Sequence, residues 1–239
     1  MFVRTGMIVA FVASAFAIFP TGDRNSADVT RYQPAKLAAM EGLYTSAYGA
    51  PLAIIGMPDT QKHVLIDPIF VPKILSFLAY GNFGANVKGL DEYPVDLRPP
   101  VAVTYYAYHI MVGLGTIFLG LGFIGVVLWR LKLLERSRWF LWLLMLVMPF
   151  PYIANEAGWA TTEVGRQPWI VYGLIRTAQA TSVNVAPGET IFTILGFVGM
   201  YFLLGLLFMM LVLREIDIGP ERGTAHAAGG ITAVAEAVP

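Results

Sequence analysis

The chain contains no cysteine. That excludes disulfides, zinc–thiolate sites, thiolate-ligated haem and iron–sulfur clusters held by this chain alone. Charge is sparse, at 13% of 239 residues, and it balances to a formal net of zero. A balanced chain offers no basic field for nucleic acid, and no nucleic-acid motif is present, so that class of partner is excluded. Histidine is scarce as well, with only His63, His109 and His226. Any metal or haem chemistry must draw on those, on carboxylates, on methionine or on another subunit.

Apolar residues are abundant instead, at 56% of the chain, with a mean hydropathy of +0.64. A soluble domain of this length cannot bury so much apolar surface, so the class is integral membrane protein. Four segments are long enough to cross roughly 30 Å of hydrocarbon as helices. They cover about residues 2–19, 101–129, 139–159 and 190–213. The expected fold is therefore all-α, with a long outer loop over 20–100 between the first and second helices. A shorter loop over 160–189 follows the third, the membrane domain ends near residue 223, and 224–239 reads as a disordered tail. The first segment has a second reading. Its basic start, apolar middle and small residues Ala13, Ala15 and Ala17 also fit a secretory signal.

Orientation follows from positive charge. The connection "RLKLLERSR", residues 130–138, holds four basic residues and one acid, which sets it on the cytoplasmic side. Both chain ends are then cytoplasmic, and the 20–100 loop is outside. Within that loop, "QPAKLAAMEGLY" (33–44) predicts a short helix, with Pro34 in its first turn and Gly42 at its end. "PIFVPKILSFLAY" (68–80) predicts a surface-lying or loop-packing helix interrupted by Pro72.

A few side chains stand out against this background. Glu156 lies in or at the edge of the third span, where an ionisable group is costly. It is either solvated at a helix end near Gly158 and Trp159 or functional, as an iron ligand or proton relay. Met111 lies inside the second span. Methionine there is ordinarily core filler, but a thioether can also be an axial haem ligand paired with histidine. His109 cannot be that partner, since two residues place it about 200° around the helix from Met111. Its plainer role is helix packing or an interfacial one. Lys36 and Glu41 are an ordinary solvated pair or a site for a proton-releasing substrate such as a quinol. There the carboxylate would accept protons while the lysine hydrogen-bonds an oxygen. Gly113 with Gly120, and Gly115 with Gly122, offer faces for close approach of a helix or a flat ring.

Three motifs in order resemble one family. "EAGWATTEVGRQPW" resembles the signature of the large subunit of cytochrome bd-type quinol oxidases. "HIMVG" sits where that family has a methionine haem ligand, and "KLAAMEGLY" resembles the start of its quinol-binding loop. The resemblance runs from about Val3 to Pro220. It implies that Met111 is the axial ligand of a low-spin haem b and that Glu156 ligates a high-spin haem. Lys36 and Glu41 become the quinol-binding pair, and Glu163, Arg166, Gln167 and Trp169 become signature residues with propionate or packing roles. It also makes the first span the family's sixth helix rather than a signal. The implied cofactors are low-spin haem b, high-spin haem b, and haem d or a third haem b. His109 stands where the family usually has an arginine, which leaves the electrostatics of the low-spin haem open.

The family's large subunit has nine spans, and this chain matches the last four. The missing five would carry the histidines that complete each haem site. The resemblance therefore implies the C-terminal portion of a split large subunit, in a bacterial or archaeal cytoplasmic membrane. Expected partners are a chain with the first five helices, small subunit II, quinol, oxygen and membrane lipid. The alternative is a bd-like subunit of another respiratory complex that keeps a quinol or low-spin haem site without reducing oxygen.

Overall fold

The computed structural model describes residues 2–180, 182 and 184–236. The chain divides into two compact units, Met1–Thr181 and Ser182–Pro239. Among the described residues, four helices are long and apolar enough to cross a membrane: Val3–Tyr32, Val95–Arg130, Arg138–Val164 and Pro187–Ile218. The chain is thus a multi-pass membrane protein and mostly helical.

The first span is longer than its apolar pattern predicts. Helix α1, Phe2–Phe16, passes through a wider π-type turn, Ala17–Thr21, into α2, Gly22–Tyr32. Pro20 sits in that turn. Proline has no N–H and so leaves the carbonyl four residues back without its donor. The Thr21 hydroxyl donates to that carbonyl, Phe16 O, at 2.7 Å, and the helix continues. Helix α3, Pro34–Met40, follows with proline in its first turn, and Gly42 turns the chain at φ +61°. Both features match the sequence reading.

The long connection departs from an all-helical pattern. Strand β1, Ala47–Tyr48, is followed by β2, Leu52–Asp59, and β3, Val64–Val71. Strands β2 and β3 pair as an antiparallel hairpin, with Leu52 opposite Val71 and Asp59 opposite Val64. Only the second part of the predicted 68–80 helix is helical: α4 covers Ile74–Tyr80. Its first part belongs to β3, whose Val64, Ile66, Ile69, Phe70 and Val71 favour a strand. Pro72 ends the strand, and Lys73, at φ +65°, turns into the helix. Strand β4, Asn86–Val87, then pairs with β1. Leu37, Ala50, Leu75, Ala79 and Val87 form a small apolar core under this region.

Helix α5, Val101–Arg130, is the central span. Its Gly122 faces Phe11 and its Gly125 faces Met7, so glycine lets α1 lie close along it. Gly113 and Gly120 meet nothing within 4 Å. The third span is two helices, α6, Arg138–Val147, and α7, Phe150–Val164. Pro149 and Pro151 withhold two donors at the joint, and Met148 N turns back to Met145 O instead. The expected helix end near Trp159 is not there, because i–4 bonding continues to Val164. Beyond α7, strands β5, Trp169–Val171, and β6, Ile175–Arg176, form a tight hairpin turning at Gly173, φ +76°. In the second unit, α8 runs Pro187–Glu236. Its last turns cover the 224–236 part of the expected tail; residues 237–239 lie outside the described ones.

Candidate functional site

The α3 helix is small on its packing faces. Ala35, Ala38 and Ala39 are each almost fully buried, which lets the helix sit tightly against α5 and the loop core. Burial carries its polar residues inside: Lys36 is 6% exposed and Glu41 4%. Lys36 Nζ donates to Thr162 O at 3.5 Å, a long contact. A Cβ at Gly165 would lie 3.2 Å from Lys36 Cε, so glycine there makes room for the lysine stem. Burial lowers the Lys36 pKa, the nearby Arg166 guanidinium lowers it further, and Glu163 opposes both.

The signature residues therefore meet the Lys36 helix, and they also hold each other. Arg166 donates to the Glu163 carboxylate. Gln167 Nε2 donates to Glu163 O at 3.3 Å, and the Thr177 hydroxyl donates to Gln167 Oε1 at 2.7 Å. The Arg176 guanidinium lies 5.4 Å from the Trp169 ring and pairs with Asp96 at 3.3 Å. This network closes the β5–β6 hairpin and fixes Glu163 and Arg166 beside Lys36.

Glu41 has a different set of neighbours. Its Oε2 is buried with no hydrogen-bond partner. Burial pushes its pKa up from 4.5 to about 8, with an interaction from the Tyr108 hydroxyl pulling the other way. Tyr105, 1% exposed, also presents a hydroxyl with no partner. The β2–β3 hairpin closes over this spot. A Cβ at Gly56 would come within 3.1 Å of Tyr105 Oη and 2.7 Å of Leu65 Cγ. His109 ties hairpin to helix, with Nε2 3.0 Å from Ala53 O and Nδ1 2.9 Å from Tyr105 O. A neutral imidazole donates to one of those carbonyls, whereas the doubly protonated ring donates to both. Its ring stacks on Tyr105 with centroids 3.9 Å apart.

Met111 and Glu156 lie elsewhere on the spans. Met111 points at α7, where a Cβ on Gly158 would stand 2.9 Å from its Sδ. Glu156 is exposed on α7, inside the Arg138–Val164 span. The helix does not end beside Glu156 at Gly158 or Trp159 but continues past it to Val164. His109 faces the hairpin while Met111 faces α7, so the two do not converge. Among the described residues no group of three or more His, Cys, Asp or Glu comes together as a metal site. A thioether and a carboxylate are iron-ligand types. They fit haem as contributors of one ligand each.

Sequence reasoning missed Tyr105 and Tyr108. The signal was present, since "YYAY" puts both on one helix face at i, i+3. It also missed Gly158 and Gly165, whose role is the space they leave.

Fold and site together define a multi-pass helical membrane protein with a buried lysine–carboxylate helix and, on its spans, two side chains of iron-ligating type, Met111 packed against α7 and Glu156 exposed. The model of the family "Cytochrome bd terminal oxidase subunit I" matches residues 1–220, and the chain belongs to that family. It is 38% identical over 234 residues to a cytochrome bd ubiquinol oxidase subunit 1 of Bacillus subtilis, covering 93% of this chain and 50% of that protein. It is 25% identical over 266 residues to the bd-II ubiquinol oxidase subunit 1 of Escherichia coli, covering 84% and 52%. The solved bd oxidase of Geobacillus thermodenitrificans matches with a TM-score of 0.69 and 26% identity, over 91% of this chain and 56% of that one. The chain thus spans about half the length of these relatives.

Proposed function

We propose that the chain is the C-terminal portion of a bd-type quinol oxidase large subunit. The observation that carries this reading is the pair of buried, unpartnered polar atoms beside α3, Glu41 Oε2 and Tyr105 Oη. Buried polar groups are ordinarily satisfied, so two together favour a polar ligand between them. A quinol hydroxyl is of that chemistry. Lys36 Nζ donates to one substrate oxygen, and ionised Glu41 accepts the proton released as the quinol is oxidised. A carboxyl that titrates at about 8 can take up and release a proton near working pH. The hairpin excludes water, and Tyr108 positions the carboxyl.

In this reading Met111 would hold a low-spin haem b and Glu156 a high-spin haem, with haem d or another haem b completing the set. Bound haem would supply one-electron transfer and the reduction of oxygen to water. The opposing histidines would come from a chain carrying the first five helices, with small subunit II as a further partner. Glu163, Arg166, Gln167 and Trp169 would have propionate or packing roles, and His109 would stand near the low-spin haem, where the family usually has an arginine. Residues 1–223 form the membrane domain, both ends are cytoplasmic, and the Lys36–Glu41 region is outside. The chain alone would be inactive.

The test is to purify the chain with its membrane partners, then record reduced-minus-oxidised spectra and quinol-dependent oxygen uptake. Haem b bands, a high-spin signal and oxygen uptake are expected. An assembly with no haem signal sinks the proposal.

A further inference from the structure

A cavity of about 390 Å³ opens where three spans reach the same end of the first unit. It is lined by Arg4, Trp129, Arg130, Lys132, Leu134 and Glu135. Arg4 is at the start of the Val3–Tyr32 span, Arg130 closes Val95–Arg130, and Arg138 opens the next. The cavity therefore lies where these apolar spans begin and end.

Its charge is lopsided. Three cations face one carboxylate, and that carboxylate is taken, because Arg4 Nη2 donates to Glu135 at 2.6 Å. Neither Arg130 nor Lys132 has a carboxylate partner among the described residues. The Arg130 guanidinium lies 5.9 Å from the Trp129 ring, an aromatic of the kind that sits at a membrane boundary. The turn that carries Lys132 is built rather than loose. Leu133 N and Leu134 N both donate to Leu128 O, at 2.8 and 3.1 Å, and Lys132 holds φ +59°. Leu134, 2% exposed, anchors it in the core with Met7 and Phe140. A second cavity on α6 repeats the pairing, with Arg138 above Leu141, Trp142 and Met145.

We propose that the cavity binds the headgroup of an anionic phospholipid, with Arg130 and Lys132 as the phosphate donors. Guanidinium and ammonium groups at the headgroup level, over an apolar wall, match a phosphate that carries acyl chains. The Glu135–Arg4 pair holds the end of α1 against the turn and keeps the cavity open on its other side. This site is independent of the quinol and haem readings.

The test uses the full chain in its purified membrane assembly, by native mass spectrometry in detergent. Phosphatidylglycerol and phosphatidylcholine of the same acyl chains are titrated in, with inorganic phosphate as a third arm. Wild type should retain phosphatidylglycerol about tenfold over phosphatidylcholine. Arg130→Gln with Lys132→Asn should bring that ratio close to one; asparagine tolerates the left-handed backbone at 132. Arg130→Lys alone should keep most of the preference, which separates lost charge from misfolding. Equal retention of the two lipids by wild type overturns the proposal. So does a preference unchanged in the double variant, or displacement of phosphatidylglycerol by millimolar inorganic phosphate.

Discussion

Glu41 and Glu156 are both carboxylates set against apolar helices, and the chain treats them in opposite ways. Glu41 is 4% exposed, enclosed by α3, α5 and the β2–β3 hairpin of its own chain. Glu156 is exposed on a span. Water can solvate an exposed carboxylate in a soluble protein, but hydrocarbon cannot. In the proposed assembly Glu156 would meet a partner from outside the described residues, while Glu41 has its environment already. One pocket is finished by folding, and the other would be finished by assembly.

That contrast sets the largest expected effects. Met111→Leu keeps side-chain volume and removes the sulfur, so packing against Gly158 survives. In the purified assembly the low-spin haem b signal should be lost while quinol still binds. A low-spin signal that survives unchanged would remove Met111 as a ligand. Glu41→Gln should do the reverse. All haem spectra should stay, and quinol turnover should fall by roughly 10²–10⁴. The pH dependence separates the two further. Only ionised Glu41 accepts a proton, so wild-type turnover should rise with pH through about 8, and the rise should vanish in Glu41→Gln.

Stability should follow the same group. Its folded pKa of about 8 lies above the ordinary 4.5, so the folded state holds the proton more tightly. Folding is then penalised increasingly as pH rises from 4.5 to about 8, and the penalty is constant above that. Glu41→Gln should narrow the difference in Tm between pH 5 and pH 9. An unchanged difference would mean that the carboxyl is solvated.

Much of this contrast was legible in the sequence. Hydropathy located all four spans because a bilayer demands long uninterrupted apolar runs. Pro34 and Gly42 framed α3 because each has one strong backbone preference. Other features depended on tertiary partners. The π-type turn at Pro20 needed Thr21 to satisfy Phe16 O, and no hydropathy pattern encodes that exchange. The β2–β3 hairpin was read partly as helix because a short apolar run fits either period. Burial of Glu41 beside Tyr105 and Tyr108 requires three separate segments to meet. The outward face of Glu156 follows only from where its neighbours are not.

The two glycines that face site residues offer a finer comparison. A Cβ at Gly165 meets Thr104 Cγ2 at 3.0 Å as well as Lys36 Cε, and it crowds the Thr161 carbonyl. Backbone cannot yield as a side-chain end can, so Gly165→Ala should cost about 1–3 kcal/mol. A Cβ at Gly158 meets only the flexible Met111 Sδ and Cγ, at 2.9 and 3.6 Å. Gly158→Ala should therefore lower Tm less than Gly165→Ala, yet disturb the low-spin haem spectrum more. Equal effects on both readouts would break the distinction between the two pockets.

The smallest effect expected is at Arg166. Its charge helps to hold the Lys36 pKa down, while Glu163 works against it. Arg166→Gln removes the first influence and releases Glu163 from its ion pair, so both changes raise the Lys36 pKa. If protonated Lys36 donates to the substrate, KM for quinol rises on the alkaline side as the lysine loses its proton. In the variant that rise should begin at higher pH. Both Arg166 and Glu163 are about one-third exposed, so solvent screens the interaction. The change in KM at alkaline pH should accordingly be only about two- to fivefold. A KM profile that stays put while the low-spin haem spectrum shifts would instead assign Arg166 to a haem propionate. It would also move the signature loop from the Glu41 side of the contrast to the Glu156 side.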